Sequence, residues 1–414
     1  MNKQSVEKVI VLAAGESSRF WPLATKVHKS FYKMGLGASL IEVTIFNLLK
    51  NIKQIKEIYI VVSPKDKDRA VSLFLGNPKI KIVTQNLPKG QGDAILSAKE
   101  FISKDEKVFI TSADKINAYK LFQSLQTREN ESIAVRTSDS ANLYGMVRLN
   151  INRRVVDVSE KPSKKGEYKL RITSGYILDS RFFNYLDKVK KEHYSLEIAL
   201  KKYIKDVDVA GVLVDDIEEV TLKFAWHLLN INALLLSELK GTHIAPSASI
   251  SPTAKIEGPV VIGAEAKVLD FAKISGPVYI GKNAVVGDYS SIRENSFIDD
   301  EVLVGSHSEI KNSIIYKGGH LHRNYVGDSI IDEGTRIGAG TVFANRRIDR
   351  GEIQSKIKKI KISTGLTSFG AILGRDVKLG VNCSLMPGVK IGEESMVLPQ
   401  TCVFDDIEDK GVTK

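Results

Sequence analysis

Directly behind its first apolar run, KVIVL (8–12), the chain turns into small residues, hydroxyls and cations. The stretch VLAAGESSRFWPLATKVHKSFYKMG (11–35) holds a glycine turn, Arg19 and Lys29. Such a turn either punctuates structure or cradles a phosphate chain, because small residues let backbone N–H groups approach an anion closely. Asp114 closes a second strand-like run, KVFITSAD (107–114). A carboxylate placed there is a solvated strand end or a ligand for a hard dication.

These side chains need a scaffold. Before residue 240, KVIVL (8–12), EIYIVVS (57–63), KIKIVTQ (79–85) and KVFITSAD (107–114) read as buried strands. IEVTIFNLLKNI, DKDRAVSLFL and GDAILSAKEFI read as the helices between them. The alternation predicts an α/β, Rossmann-like domain with a mostly parallel sheet covered on both faces. Ligands of such sheets bind at the carboxyl ends of the strands, where the opening turn and Asp114 both fall.

After residue 240 the period changes. Aliphatic residues occupy every sixth position from Ile244 to Ile310, resume at Ile331, Ile337 and Phe343, and return from Leu373 to Val403. Neither a helix nor a simple strand repeats in sixes. A parallel β-helix of hexapeptide repeats does, each short side placing one aliphatic residue inside a narrow prism. Two domains are expected, 1–240 and 241–414. The basic stretch 344–372 breaks the register and should loop out of the prism, carrying lysines and arginines that suit anionic ligands.

Whole-chain properties narrow the classes. The chain has 414 residues, 43% hydrophobic and 26% charged, an ordinary composition for a water-soluble protein of two domains. No signal-peptide pattern and no membrane-length apolar run stands in the sequence, so no membrane partner is expected. Only Cys383 and Cys402 occur, without metal-ligand spacing, which points to a reducing cytoplasm. The net charge of +11 is spread over scattered lysines and favours small anionic ligands. With no RNA-binding aromatic signature and no helix-turn-helix, nucleic acid is not an expected partner.

Over nearly its full length the sequence resembles the bifunctional enzymes that make UDP-N-acetylglucosamine, particularly their archaeal-type members. In that family a strand leads into LAAG-x-x-[ST]-R and a lysine follows, here LAAGESSR and Lys29. The resemblance implies transfer of a nucleotidyl group from a nucleoside triphosphate, UTP, to N-acetylglucosamine 1-phosphate, with release of pyrophosphate. That reaction brings two polyanions together and develops charge on the α-phosphate and the leaving group. Ala13, Ala14 and Gly15 would cradle phosphates, Arg19 would clamp the pyrophosphate, and Lys29 would pair with the α-phosphate region. Gln85, Gly90 and Gln91 match the base-reading segment, where a side-chain amide suits a pyrimidine edge. Asp114 matches a metal-binding aspartate and implies Mg²⁺. Tyr144 with Gly145, and Glu160 with Lys161 and Pro162, match elements that line the sugar site.

The second half is similar to the family's left-handed β-helix acetyltransferase. Its arginine, lysine and H-x-x-Y-x-G-D run correspond to Arg293, Lys311 and HRNYVGD, which contains His322 and Tyr325. An amine attacking a thioester must lose a proton, and histidine is the base suited to neutral pH. The resemblance makes His322 that base, with His320 as nearest competitor. It places Arg293 and Lys311 on the sugar phosphate and Tyr325 on the acceptor. Ala339 and Asn345 fall where the family stacks acetyl-CoA. It also implies a homotrimer, with acetyl-CoA held between neighbouring prisms.

Four positions depart from the family pattern. His28 replaces a proline, and Thr173 replaces a sugar-binding asparagine. Arg336 replaces an asparagine near the amine. Thr221 replaces a second metal aspartate, for which Glu219 or Asp216 would have to substitute. Three readings stand: the bifunctional enzyme, a one-activity NDP-sugar pyrophosphorylase (glucose- or mannose-1-phosphate) whose β-helix serves assembly, and a non-catalytic nucleotide-sugar scaffold.

Overall fold

The computed structural model describes residues 5–127, 131–138, 145–160, 168–220, 222–358 and 360–413. Two compact units emerge. The first comprises Met1–Glu16, Lys26–Phe31 and Leu40–Thr221, and the second Ser17–Thr25, Tyr32–Ser39 and Leu222–Lys414.

The first unit is built on a mixed sheet of nine strands among the described residues. Strands β1 (Lys8–Ala13), β2 (Glu57–Val62), β3 (Ile80–Thr84) and β4 (Lys107–Ser112) run parallel in the order β4-β1-β2-β3. Both faces are covered, as the unbroken apolar runs require. Val9, Val11 and Ala13 enter one core, while Ile10 enters the other. Helices Leu40–Asn51, Lys67–Leu73 and Gln91–Leu96 supply the crossovers.

Beyond β4 the sheet turns antiparallel. Strands β5 (Ser132–Thr137), β6 (Gly145–Leu149), β7 (Val155–Glu160), β8 (Leu170–Asp179) and β9 (Ala210–Leu213) complete it. β8 lies antiparallel to both β4 and β5, and β9 pairs in parallel with β5. The turn at 150–154 is too short for a parallel crossover, so β6 and β7 form a hairpin. A register shift between Ile172 and Tyr176 bulges β8 at Thr173 and Ser174.

In the second unit, short strands stack as three parallel sheets, each coil giving one strand to each sheet. This is the left-handed β-helix, and its interior is the aliphatic ladder of the hexads. Between Ile310 and Ile331 the interior positions are Ile315, Leu321 and Val326. The spacing therefore drops to five at 310–315, 321–326 and 326–331. Coils tolerate this because their hydrogen bonds join strands, so a corner can lose a residue without breaking a ladder. The shortened corners keep left-handed residues, Asn312, Arg323 and Asp328. The 344–372 interruption leaves the prism as an antiparallel hairpin of Gln354–Ile357 and Ile360–Ser363. The ladder rejoins directly, with Ile330 beside Ile372. No helix among the described residues is long and apolar enough to cross a membrane.

Candidate active sites

In the first unit, the carboxyl ends of β1 and β4 bring the chemistry together. Lys29 Nζ lies 2.8 Å from Asp114 Oδ2, and Asp114 is buried, 8% exposed as a residue. Burial alone would raise its pKa, but Lys29 and Lys115 outweigh burial and hold it below the usual carboxylate range. Asp114 is thus an ionised oxygen donor at a strand end. Mg²⁺ commonly takes only one or two protein carboxylates and completes its shell with phosphate oxygens and water, so this donor fits it. Among the described residues no group of three or more His, Cys, Asp or Glu side chains converges as a metal cage. Ala13 and Ala14 are buried while Gly15 is exposed, leaving the turn's backbone open at its tip. Arg19 is exposed on the turn Ser18–Phe20, which belongs to the second unit.

His28 is buried, its Nδ1 accepting from Ser30 and its backbone N–H donating to Asp66 Oδ1 at 3.1 Å. That N–H is what a proline would lack. Burial, then the charge on Lys29, pushes the imidazole pKa down to about 3. Below pH 6.5 the unfolded chain binds a proton here that the folded chain refuses, so stability falls as the pH drops toward 3. At 1.36 kcal/mol per pH unit, this costs about 2 kcal/mol at pH 5. Urea midpoints at pH 7 and pH 5 should therefore fall further for the natural chain than for His28→Asn. Equal falls would contradict a neutral buried ring.

The base-reading segment folds back on itself. Gln85 Nε2 donates to Gly90 O at 3.1 Å and Asp93 Oδ2 at 2.9 Å, so this amide nitrogen braces the loop. Gly90 has φ +96°, and a Cβ there would meet Glu192 O at 2.9 Å, so only glycine fits. Gln91 opens its helix and is exposed. Gly145 and Glu160 are register partners across β6 and β7. Tyr144, Lys161, Pro162 and Thr221 lie outside the described residues.

Thr173 is buried at the β8 bulge and lines a small cavity with Lys115, Asn117, Arg136 and Glu219. The substitute ligand Glu219 is already engaged there. Arg171 donates to its carboxylate, and Lys115 Nζ stands 3.5 Å away. Both oxygens of Glu219 face a cation, Oε1 facing Lys115 and Oε2 facing Arg171, whereas Asp114 pairs with Lys29 through Oδ2, so Glu219 is the poorer metal ligand of the two; Asp216 sits exposed near it in sequence. Lys115 and Arg171 were not singled out from sequence. The only signal was a lysine directly after the metal-type aspartate and an arginine two residues before Thr173.

In the second unit, the predicted residues fall on successive coils. Ser291, Glu309, Tyr325 and Val342 stack in register on one sheet, and Lys311 is beside Gly327. Arg293 immediately follows that sheet's strand and pairs with Glu309 at 2.9 Å. Asn345 donates to Asp328, and a Cβ at Gly327 would lie 2.8 Å from both Asn345 Nδ2 and Tyr325 Oη. Asn345 is therefore gathered with Tyr325 and Asp328. Ala339 is exposed at a separate corner, followed by Gly340 at φ +75°. His322 is exposed at the shortened corner before Tyr325, its backbone N–H donating to Asn324 Oδ1. His320 lies on the preceding strand beside Arg336 of the next coil. Burial, then Arg336, pushes its pKa below the ordinary histidine value.

The sequence of this chain is similar to those of known proteins. Residues 8–227 match the nucleotidyl transferase family. The chain is 32% identical over 403 residues to "Bifunctional protein GlmU" of Methanococcus aeolicus, covering 96% of this chain and 95% of that protein. It is 32% identical over 413 residues to "Bifunctional sugar-1-phosphate nucleotidylyltransferase/acetyltransferase" of Sulfurisphaera tokodaii, covering 97% and 98%. A "Bifunctional protein GlmU" of Methanococcus maripaludis is 34% identical over 411 residues.

Proposed function

We propose the following two-reaction scheme on the premise that this chain belongs to the nucleotidyl transferase family and to the bifunctional sugar-1-phosphate nucleotidylyltransferase/acetyltransferases. The chain is an enzyme of nucleotidyl and acetyl transfer. Its substrates in this reading are UTP with N-acetylglucosamine 1-phosphate, and acetyl-CoA with glucosamine 1-phosphate. The two reactions reside in 1–240 and 241–414, and the assembled form is a homotrimer in a reducing cytoplasm. The observation that supports it most is the Lys29–Asp114 pair at the carboxyl ends of β1 and β4.

In nucleotidyl transfer, a sugar-phosphate oxygen attacks the α-phosphorus and the bond to pyrophosphate breaks. Ala13, Ala14 and Gly15 present backbone to the phosphates, Lys29 neutralises charge at the α-phosphate, and Arg19 holds the leaving pyrophosphate. Gln91, braced through Gln85 and Gly90, reads the base edge. Gly145, Glu160 and Thr173 bound the sugar. Asp114 would hold Mg²⁺, which when bound offsets charge on the triphosphate oxygens.

In acetyl transfer, the amine nitrogen attacks the thioester carbonyl, the C–S bond breaks, and His322 accepts the proton the amine sheds. Arg293 and Lys311 bind the sugar phosphate, Tyr325 orients the acceptor, and Ala339 and Asn345 border acetyl-CoA.

Purified chain assayed against a panel of nucleoside triphosphates and sugar 1-phosphates, with and without acetyl-CoA, tests the assignment. Release of pyrophosphate should be fastest with UTP and N-acetylglucosamine 1-phosphate. A clear preference for glucose- or mannose-1-phosphate, with no thiol release from acetyl-CoA, would favour the one-activity pyrophosphorylase instead.

A further inference from the structure

Six residues, Lys26–Phe31, carry Lys29, and both stretches flanking them belong to the second unit. One hydroxyl closes the base of this loop. Ala24 N–H donates to Tyr32 Oη at 2.8 Å, and Tyr32 Oη donates to Asp332 Oδ2 at 2.9 Å, with Tyr32 and Asp332 both buried. Ala24 itself sits at φ +59°, an uncommon conformation for a residue with a Cβ. The ring of Tyr32 also packs on Phe20, centroids 6.0 Å apart, and Phe20 directly follows Arg19. Further side chains hold the same two stretches. Trp21 Nε1 donates to Asp409 Oδ1 at 3.0 Å, and Thr25 Oγ1 donates to Glu393 Oε2 at 2.8 Å. On the other flank, Lys33 lies 3.3 Å from Asp300, and Gly35 N–H donates to Asn232 at 2.9 Å.

We propose that Tyr32 and Asp332 are positioning residues for nucleotidyl transfer, closing the base of the loop that carries Lys29 and, through Phe20, bracing the turn of Arg19. The proposal rests on the roles given above to Arg19 and Lys29. Small displacements of reacting groups are costly, which makes one hydrogen bond at the loop base enough to be read in rate.

The test uses the full chain with Tyr32→Phe, Asp332→Ala and Asp332→Asn. Tyr32→Phe and Asp332→Ala should lower kcat for nucleotidyl transfer by about 10-fold or more. In pyrophosphorolysis they should raise KM for pyrophosphate, the ligand of Arg19, and leave KM for the nucleotide sugar unchanged. Acetyl transfer should hold at the natural rate. Asp332→Asn keeps an acceptor for the tyrosine hydroxyl and should stay close to the natural chain. If Tyr32→Phe does not fold, Thr25→Val and Trp21→Phe loosen the first flanking stretch and should shift the same KM in the same direction. Unchanged pyrophosphate kinetics in the folded variants, or an equal fall in both reactions, would overturn the proposal. Absence of nucleotidyl transfer from the natural chain would instead remove the functional reading beneath it.

Discussion

Lys29→Ala should lower kcat/KM for nucleotidyl transfer by about 10²-fold or more and leave acetyl transfer intact. Two losses combine. The charge facing the α-phosphate disappears, and Asp114 loses the cation 2.8 Å away that contributes most to keeping it ionised. A buried carboxyl without that partner drifts toward its neutral form, a weak ligand for a hard dication. A 10²-fold loss corresponds to about 2.7 kcal/mol of transition-state stabilisation, ordinary for one charged group aimed at developing charge. Initial rates of pyrophosphorolysis measure it. A variant within a few-fold of the natural chain would remove Lys29 from the reaction.

His322→Ala should abolish acetyl transfer, by about 10²–10⁴-fold for a lost general base, and spare nucleotidyl transfer. The residue sits at a shortened corner three positions before Tyr325, on the coil between Lys311 and Asn345. Its backbone N–H donates to Asn324 Oδ1, so truncating the side chain leaves that hydrogen bond at the corner in place. His320→Ala is the control. It faces Arg336 on the next coil, and burial and that cation disfavour its protonated form. Thiol release that falls with His320→Ala and survives His322→Ala would exchange the two assignments.

The strongest periodicities were the most legible. A strict six announces a prism, because one aliphatic residue per side must enter the interior, and Ile262, Val268 and Ile274 do. Three of the four parallel strands, β1, β2 and β4, were legible for the same reason, being apolar on both faces, while β3 alternates with Lys81 exposed. What escaped depends on geometry that no period records. The sides ending at Ile315, Val326 and Ile331 drop one corner residue each, so a search in sixes loses the ladder where the acetyl-transfer candidates lie. The antiparallel half is set by connection length and the β8 bulge rather than by apolar pattern. Tyr32 and Asp332 stand 300 positions apart, and neither has a local signature. The sequence offers Glu219 as a substitute for the second metal aspartate; its ion pairs with Arg171 and Lys115 needed the fold.

The central claim is that one chain holds two separable chemistries. A single vessel containing glucosamine 1-phosphate, acetyl-CoA, UTP and Mg²⁺ tests it, with thiol and pyrophosphate followed together. The natural chain should release both, and pyrophosphate release should depend on acetyl-CoA. Lys29→Ala should release thiol and accumulate the N-acetylated sugar phosphate without pyrophosphate. His322→Ala should release neither until N-acetylglucosamine 1-phosphate is supplied, and then release pyrophosphate at the natural rate. Loss of both signals in either single variant under every substrate combination would contradict two separate centres.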